Sequence, residues 1–151
     1  MMFGDPDSVV PSTMKMDPGV TAIDTGSTVL RYKSGDQLVL SWSWSARGLG
    51  MFDFIGPKGF IQSGPGKLSP PKSDSNKHGY HCLADSNGKQ KLIRFRYDST
   101  QISVAQGHHF MECIKGKAQC QSPGTEAIKA VAVAQTIIKT GPDGRARKVV
   151  W

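Results

Sequence analysis

Asp-Gln-Leu-Val-Leu-Ser-Trp-Ser-Trp-Ser, residues 36–45, alternates strictly: Leu38, Leu40, Trp42 and Trp44 share one parity, and Ser41, Ser43 and Ser45 share the other. Successive side chains of a β-strand point to opposite faces, so the stretch reads as a strand with one apolar and one polar face. Two tryptophans on the apolar face suit either the anchor of a core between sheets or an exposed aromatic platform for a sugar or a base. The company of Leu38 and Leu40 favours the core, and a platform of Trp42 and Trp44 is the minority reading.

The same alternation and punctuation run outward from this strand. Residues 21–24 and 28–32 read as short strands separated by Thr25-Gly26-Ser27, and Lys33-Ser34-Gly35-Asp36 turns into the tryptophan strand. Residues 51–55 and 59–62 are two further apolar pieces around Gly56-Pro57-Lys58. Asp85-Ser86-Asn87-Gly88 between 80–84 and 91–97 is a hairpin signal, because Asn-Gly tolerates the positive φ of tight turns. Residues 101–105 and 108–114, joined through Gln106-Gly107, continue it as an antiparallel meander.

Residues 126–140 support two periods. Ile128, Val131, Gln135 and Ile138 suit a helix face, whereas Val131, Val133 and Ile137 with β-branched Thr136 and Ile138 suit a strand. Residues 136–140 and 145–151 around Gly141-Pro142-Asp143-Gly144 read as a terminal hairpin, leaving room for one short helix near 126–135. The expected fold is all-β, an antiparallel sheet or two-sheet sandwich of about eight to ten short strands, with α+β as the alternative. Residues 1–19, with Pro6, Pro11 and Pro18, read as an extended N-terminal arm in which a central strand is not expected. Residues 20–151 read as a single β-rich domain with a long Pro/Ser/Gly loop at 63–77.

Lysine and arginine total 19 against 12 acidic residues, a formal net charge of +7. Such a balance attracts polyanions over a Debye length of about 10 Å. In residues 91–97, Arg94 and Arg96 share one parity, and Arg145, Arg147 and Lys148 follow near the end of the chain. These five are the expected contacts to an anionic partner, provided they share a sheet face. No run reaches the roughly 18 apolar residues of a membrane span, and the start, Met-Met-Phe-Gly-Asp-Pro-Asp, lacks the layout of a signal peptide. The expectation is a soluble protein of the cytoplasm or a virion, or a secreted one whose signal has been removed.

The three cysteines are Cys82, Cys113 and Cys120, too few for a disulfide framework, although Cys113 and Cys120 bracket a turn-like hexapeptide that a bridge could close. His78, His81, His108 and His109 show no paired metal-ligand spacing, so no metal is expected. The one set resembling a nucleophile with its base is Cys82 or Cys113 with His109 and Glu112. No nucleophile elbow, P-loop or dinucleotide fingerprint is present, so neither catalytic residues nor a small-molecule cofactor are expected. These observations favour a non-catalytic binding or structural module that engages RNA or another polyanion through a basic sheet face. The alternatives are a self-associating coat protein of a small RNA virus, and a secreted, effector-like recognition module for glycans or host proteins.

Overall fold

Alanines decide the segment that the periodicity left open. Ala127, Ala130, Ala132 and Ala134 carry the best helix propensity of any residue, Glu126 stands in the first turn, and the chain from Gly124 to Thr140 is one long helix. In the computed structural model, which describes residues 4–46, 52–64, 68, 78–96 and 99–151, the all-β expectation therefore fails. The fold is α+β, with two four-stranded antiparallel sheets and two long helices. The chain divides into two compact units, residues 1–48 with 121–151, and residues 49–120.

The first unit holds β1 (Pro6–Met14), β2 (Thr25–Tyr32), β3 (Gln37–Ser43) and the two-residue β8 (Arg147–Lys148), in sheet order β3-β2-β1-β8. The stretch read as an extended arm thus supplies an inner strand. Pro11 lacks a donor N–H, but it lies beyond the short ladder that joins β8 to Ser8 and Val9. Nor do residues 136–140 enter a terminal hairpin. They are the last turns of α2 (Gly124–Thr140), and β8 pairs with β1 instead.

Val9, Leu30, Ile137 and Val149 form the core of this unit, with Leu38, Trp42, Ala132 and Val133 packed against it. The helix face inferred from Ile128, Val131 and Ile138 points outward, Ile128 being 65% exposed. The buried stripe is Ala132, Val133 and Ile137, shifted around the helix. Small Ala132 lets the backbone approach the sheet, and a period of large residues alone cannot reveal that.

The tryptophan strand obeys its alternation only in part. Leu38 and Trp42 pack on the core, but Leu40 is 46% exposed and Trp44 is 88% exposed. Strand β3 ends at Ser43, whose Oγ accepts the N–H groups of Ser45 (3.2 Å) and Ala46 (2.9 Å) and turns the chain before Trp44 can follow the pleat. Gly26, read as part of a break between two strands, lies inside β2 directly opposite Trp42. A Cβ there would sit 2.7 Å from the indole, so the glycine makes room for the ring. Trp42→Ala is expected to destabilise this unit by about 3 kcal/mol and Trp44→Ala by under about 0.5 kcal/mol, compared by urea unfolding followed by circular dichroism.

Asp24 fastens the corner beside them. Its carboxylate accepts the N–H groups of Met16 (2.7 Å) and Asp17 (2.8 Å), and the Ser45 hydroxyl donates to it as well. The Met16 amide first, then the Ser45 hydroxyl, hold this carboxyl well below its ordinary value of 3.8 against the opposing effect of desolvation. A depressed folded-state value means that the contribution to stability is complete above the unfolded value and is lost as the pH falls below it. Asp24→Asn is therefore expected to lower the melting temperature at pH 7, and the gap from the parent should close as both are melted at progressively lower pH, under about 3.8.

The second unit is a meander of β4 (Asp53–Gly56), β5 (Gly59–Ser63), β6 (His78–Asp85) and β7 (Gln90–Arg96), in that order across its sheet. The Asn87-Gly88 hairpin forms as its chemistry dictates. Asp85 Oδ1 accepts the N–H groups of Asn87 and Lys89, each at 2.9 Å, and Gly88 takes φ of 79°. Most of the loop expected at 63–77 lies outside the described residues. The two strands expected at 101–105 and 108–114 are instead one helix, α1 (Ser99–Ile114), running through Gly107 without a break. Gly107 costs such a helix about 1 kcal/mol relative to alanine, too little to end it. Among the described residues, no helix is long and apolar enough to cross a membrane.

Candidate functional site

Helical geometry places Gln101, Ala105, His108 and Glu112, spaced four, three and four apart, on one face of α1. Together with Val104, His109 and Ala118 they line a recess of about 440 Å³. Ala118 reaches it because the chain folds back after the helix. Gly116 adopts φ of 70°, and the N–H groups of Lys117 and Ala118 both donate to the Glu112 carbonyl, at 2.9 and 3.3 Å. Glu112 also pairs with Lys115 at 3.1 Å. His108 is exposed, whereas His109 is half-buried with Nε2 3.5 Å from Cys113 Sγ.

Of the thiol-centred set inferred from the sequence, Cys113 and His109 come together on α1 and Cys82 does not join them. Cys82 is fully buried on β6, its thiol donating to Gln90 Oε1 at 3.6 Å. Burial first, then neighbouring Cys120, pushes the Cys113 thiol above its ordinary value, which disfavours the thiolate a nucleophile requires. Cys113 and Cys120 are free thiols here. No group of three or more His, Cys, Asp or Glu side chains among the described residues is arranged to hold a metal ion. What α1 offers is imidazole and carboxylate, groups of the kind used in proton transfer, at the rim of an apolar recess.

Of the five basic residues expected on one face, Arg94 and Arg96 lie on one sheet, Arg147 and Lys148 on the other, and Arg145 in the irregular stretch before β8. Arg94 and Arg96 lie on β7, in register with Tyr80 and His78 of β6, so these four side chains share a face of the second sheet. Arg94 Nη2 stands 3.1 Å from His78 Nε2. Arg145, Arg147 and Lys148 belong to the first unit, where Arg147 pairs with Asp143 at 3.1 Å. Lys148 lines a separate recess of about 610 Å³ with Asp5, Asp7, Lys33 and Trp151. Of the aromatic platform, Trp42 is taken by the core and Trp44 stands by itself.

Neither a family model nor a curated protein matches the sequence. Solved structures match over nearly the whole chain. An oxidoreductase from Agrobacterium radiobacter in complex with NAD+, L-tartaric acid and magnesium is 14% identical with a TM-score of 0.69, over 98% of this chain and 44% of its own. An aldose-aldose oxidoreductase from Caulobacter crescentus complexed with glycerol is 20% identical with a TM-score of 0.72, over 95% of this chain and 41% of its own. An oxidoreductase from Thermotoga maritima is 15% identical with a TM-score of 0.70, over 98% of this chain and 39% of its own.

The chain thus spans less than half the length of these structures, and what it shares with them at such identity is the fold. That finding corrects the reading of a non-catalytic RNA-binding or coat module and of a secreted recognition module, since the fold recurs in enzymes. The expectation of no small-molecule cofactor is corrected as well, because one structure with this fold holds NAD+. The signal for the α1 recess was present in the sequence as His108, His109 and Glu112, but a helix, rather than two strands, is needed to bring His108 and Glu112 onto one face with Gln101 and Ala105.

Proposed function

We propose that this chain is the substrate-side part of an oxidoreductase that acts on a small hydroxylated compound with a nicotinamide dinucleotide. The observation that carries the proposal is the fold shared along nearly the full chain with oxidoreductases, one complexed with NAD+ and a hydroxy acid and another acting on aldoses.

The residues described here do not fit the nucleotide itself. Dinucleotide sites of the doubly wound type use parallel strands joined through a glycine-rich turn to a helix N-terminus. Among the described residues the named strands pair only antiparallel, beside one isolated parallel bridge between Gly64 and His81. Helix α2 starts after Pro123, and no side chain caps it. We therefore assign to the described residues the binding of the substrate and the movement of its proton, not the dinucleotide. His108 at the open rim of the recess is positioned to take the proton of a substrate hydroxyl, with Glu112 one turn further along the same face.

The test is a spectrophotometric screen at 340 nm of hydroxy acids, polyols and aldoses with NAD+ and NADP+, using this chain together with a dinucleotide-binding domain. Nucleotide reduction that depends on both this chain and one hydroxylated substrate class is the expected result. Turnover that is unchanged when this chain is omitted would sink the proposal.

A further inference from the structure

The end of α1 brings two of the three cysteines together. Cys113 is half-buried on the last turn, Cys120 is exposed, and their side chains hydrogen-bond. The backbone has already made the approach, through the turn at Gly116 that returns the chain to the Glu112 carbonyl. His109, one turn before Cys113, holds Nε2 3.5 Å from its sulfur. Cys82 lies buried in the sheet, apart from this pair.

We propose that Cys113 and Cys120 are a site of reversible thiol oxidation, closing a disulfide across the end of α1, with His109 as the proton acceptor and a low-molecular-weight disulfide such as oxidised glutathione as the oxidant. Exposure makes Cys120 the entry point. Its thiolate attacks one sulfur of the small disulfide, that sulfur–sulfur bond breaks, and one small thiol departs. Cys113 then passes its proton to His109 and attacks Cys120 Sγ. The mixed disulfide breaks and the second small thiol leaves, taking up a proton. Two protein thiols are oxidised to one disulfide and one small disulfide is reduced to two thiols.

Burial and the adjacent Cys120 raise the Cys113 thiol, so this step benefits from a base within reach, and His109 is that group. The other charged groups near the loop are Glu112, Lys115 and Lys117, of which Glu112 and Lys115 are engaged with one another. Bridging ties the loop that carries Ala118 to the last turn of α1. Both Ala118 and His109 line the α1 recess, so the oxidation state of the pair sets the shape of that recess. None of this rests on the oxidoreductase reading.

The purified chain is equilibrated across ratios of reduced to oxidised glutathione, quenched in acid, and its thiols are counted after unfolding. The count is expected to fall from three to one, with a mass loss of about 2 Da. Cys82→Ser should leave the bridge intact, whereas Cys120→Ser, an exposed substitution with no packing to lose, should abolish it and stop at the mixed stage or earlier. His109→Gln should slow closure about tenfold without moving the midpoint of the equilibrium, as expected for a base that enters only the rate. Three thiols persisting across the whole titration, or a bridge that still forms in Cys120→Ser, would overturn the site. Unchanged closure in His109→Gln would overturn the assigned base.

Discussion

Replacing His108 with alanine is expected to lower kcat about 100-fold or more in the nucleotide-supplied enzyme while changing stability by less than about 0.5 kcal/mol. The two halves of that expectation come from one placement. His108 is exposed at the rim of the recess, so truncation leaves no cavity in a packed core. Among the side chains lining the recess, the exposed imidazole of His108 is open to a substrate hydroxyl, and a positioned base of this kind supplies about 10²–10⁴-fold in rate. Glu112→Gln should cost less, because that carboxylate is engaged with Lys115. Steady-state kinetics beside thermal melts separates the two effects. A fall in kcat that tracks a fall in melting temperature would mean that His108 is structural.

Gly59→Ala is expected to be the most damaging small substitution in the second unit, at more than about 3 kcal/mol. Gly59 opens β5 with φ of 134°, a conformation that L side chains rarely adopt. A Cβ at this position would stand 1.9 Å from the backbone carbonyl oxygen of Ala84 on the neighbouring strand. Side chains can rotate away from an intruder, but a strand carbonyl held in its ladder cannot move without breaking the β5–β6 pairing. Gly79→Ala meets a softer obstacle, since there the clash at 2.2 Å is with the ring of Phe95. Urea unfolding of the two variants should rank Gly59→Ala as the more destabilised, and equal midpoints would show that the β5–β6 contact yields.

The strands whose turns carry their own chemistry were legible from the sequence. Gly56-Pro57-Lys58 and Asp85-Ser86-Asn87-Gly88 specify hairpins locally, and both hairpins form between β4 and β5 and between β6 and β7. The helices were not legible for two different physical reasons. In 101–114 short apolar clusters on either side of Gly107 satisfy a period of two as readily as one of 3.6, and a single glycine is not a helix terminator. In 124–140 the large Ile128, Val131 and Ile138 mark the exposed face, and the buried stripe of Ala132, Val133 and Ile137 lies beside it around the helix. Pro6 and Pro11 argue against an inner strand only where their missing donors would be needed, and pairing geometry is not written in composition. The candidate site suffered most from these errors. Arg94 and Arg96 do share a face with each other, but Arg145, Arg147 and Lys148 lie in the other unit, a separation set by the pairing of β8 with β1.

The most direct measurement is calorimetric titration of this chain, with NADH and with a panel of hydroxy acids, polyols and aldoses, repeated on His108→Ala. The account predicts that NADH gives no saturable heat, and that one hydroxylated class binds the parent and binds His108→Ala more weakly. A ligand of that class at 100 times its Kd should also stabilise the chain by about 2.7 kcal/mol. Saturable NADH binding to this chain, or silence from every hydroxylated compound, would contradict it.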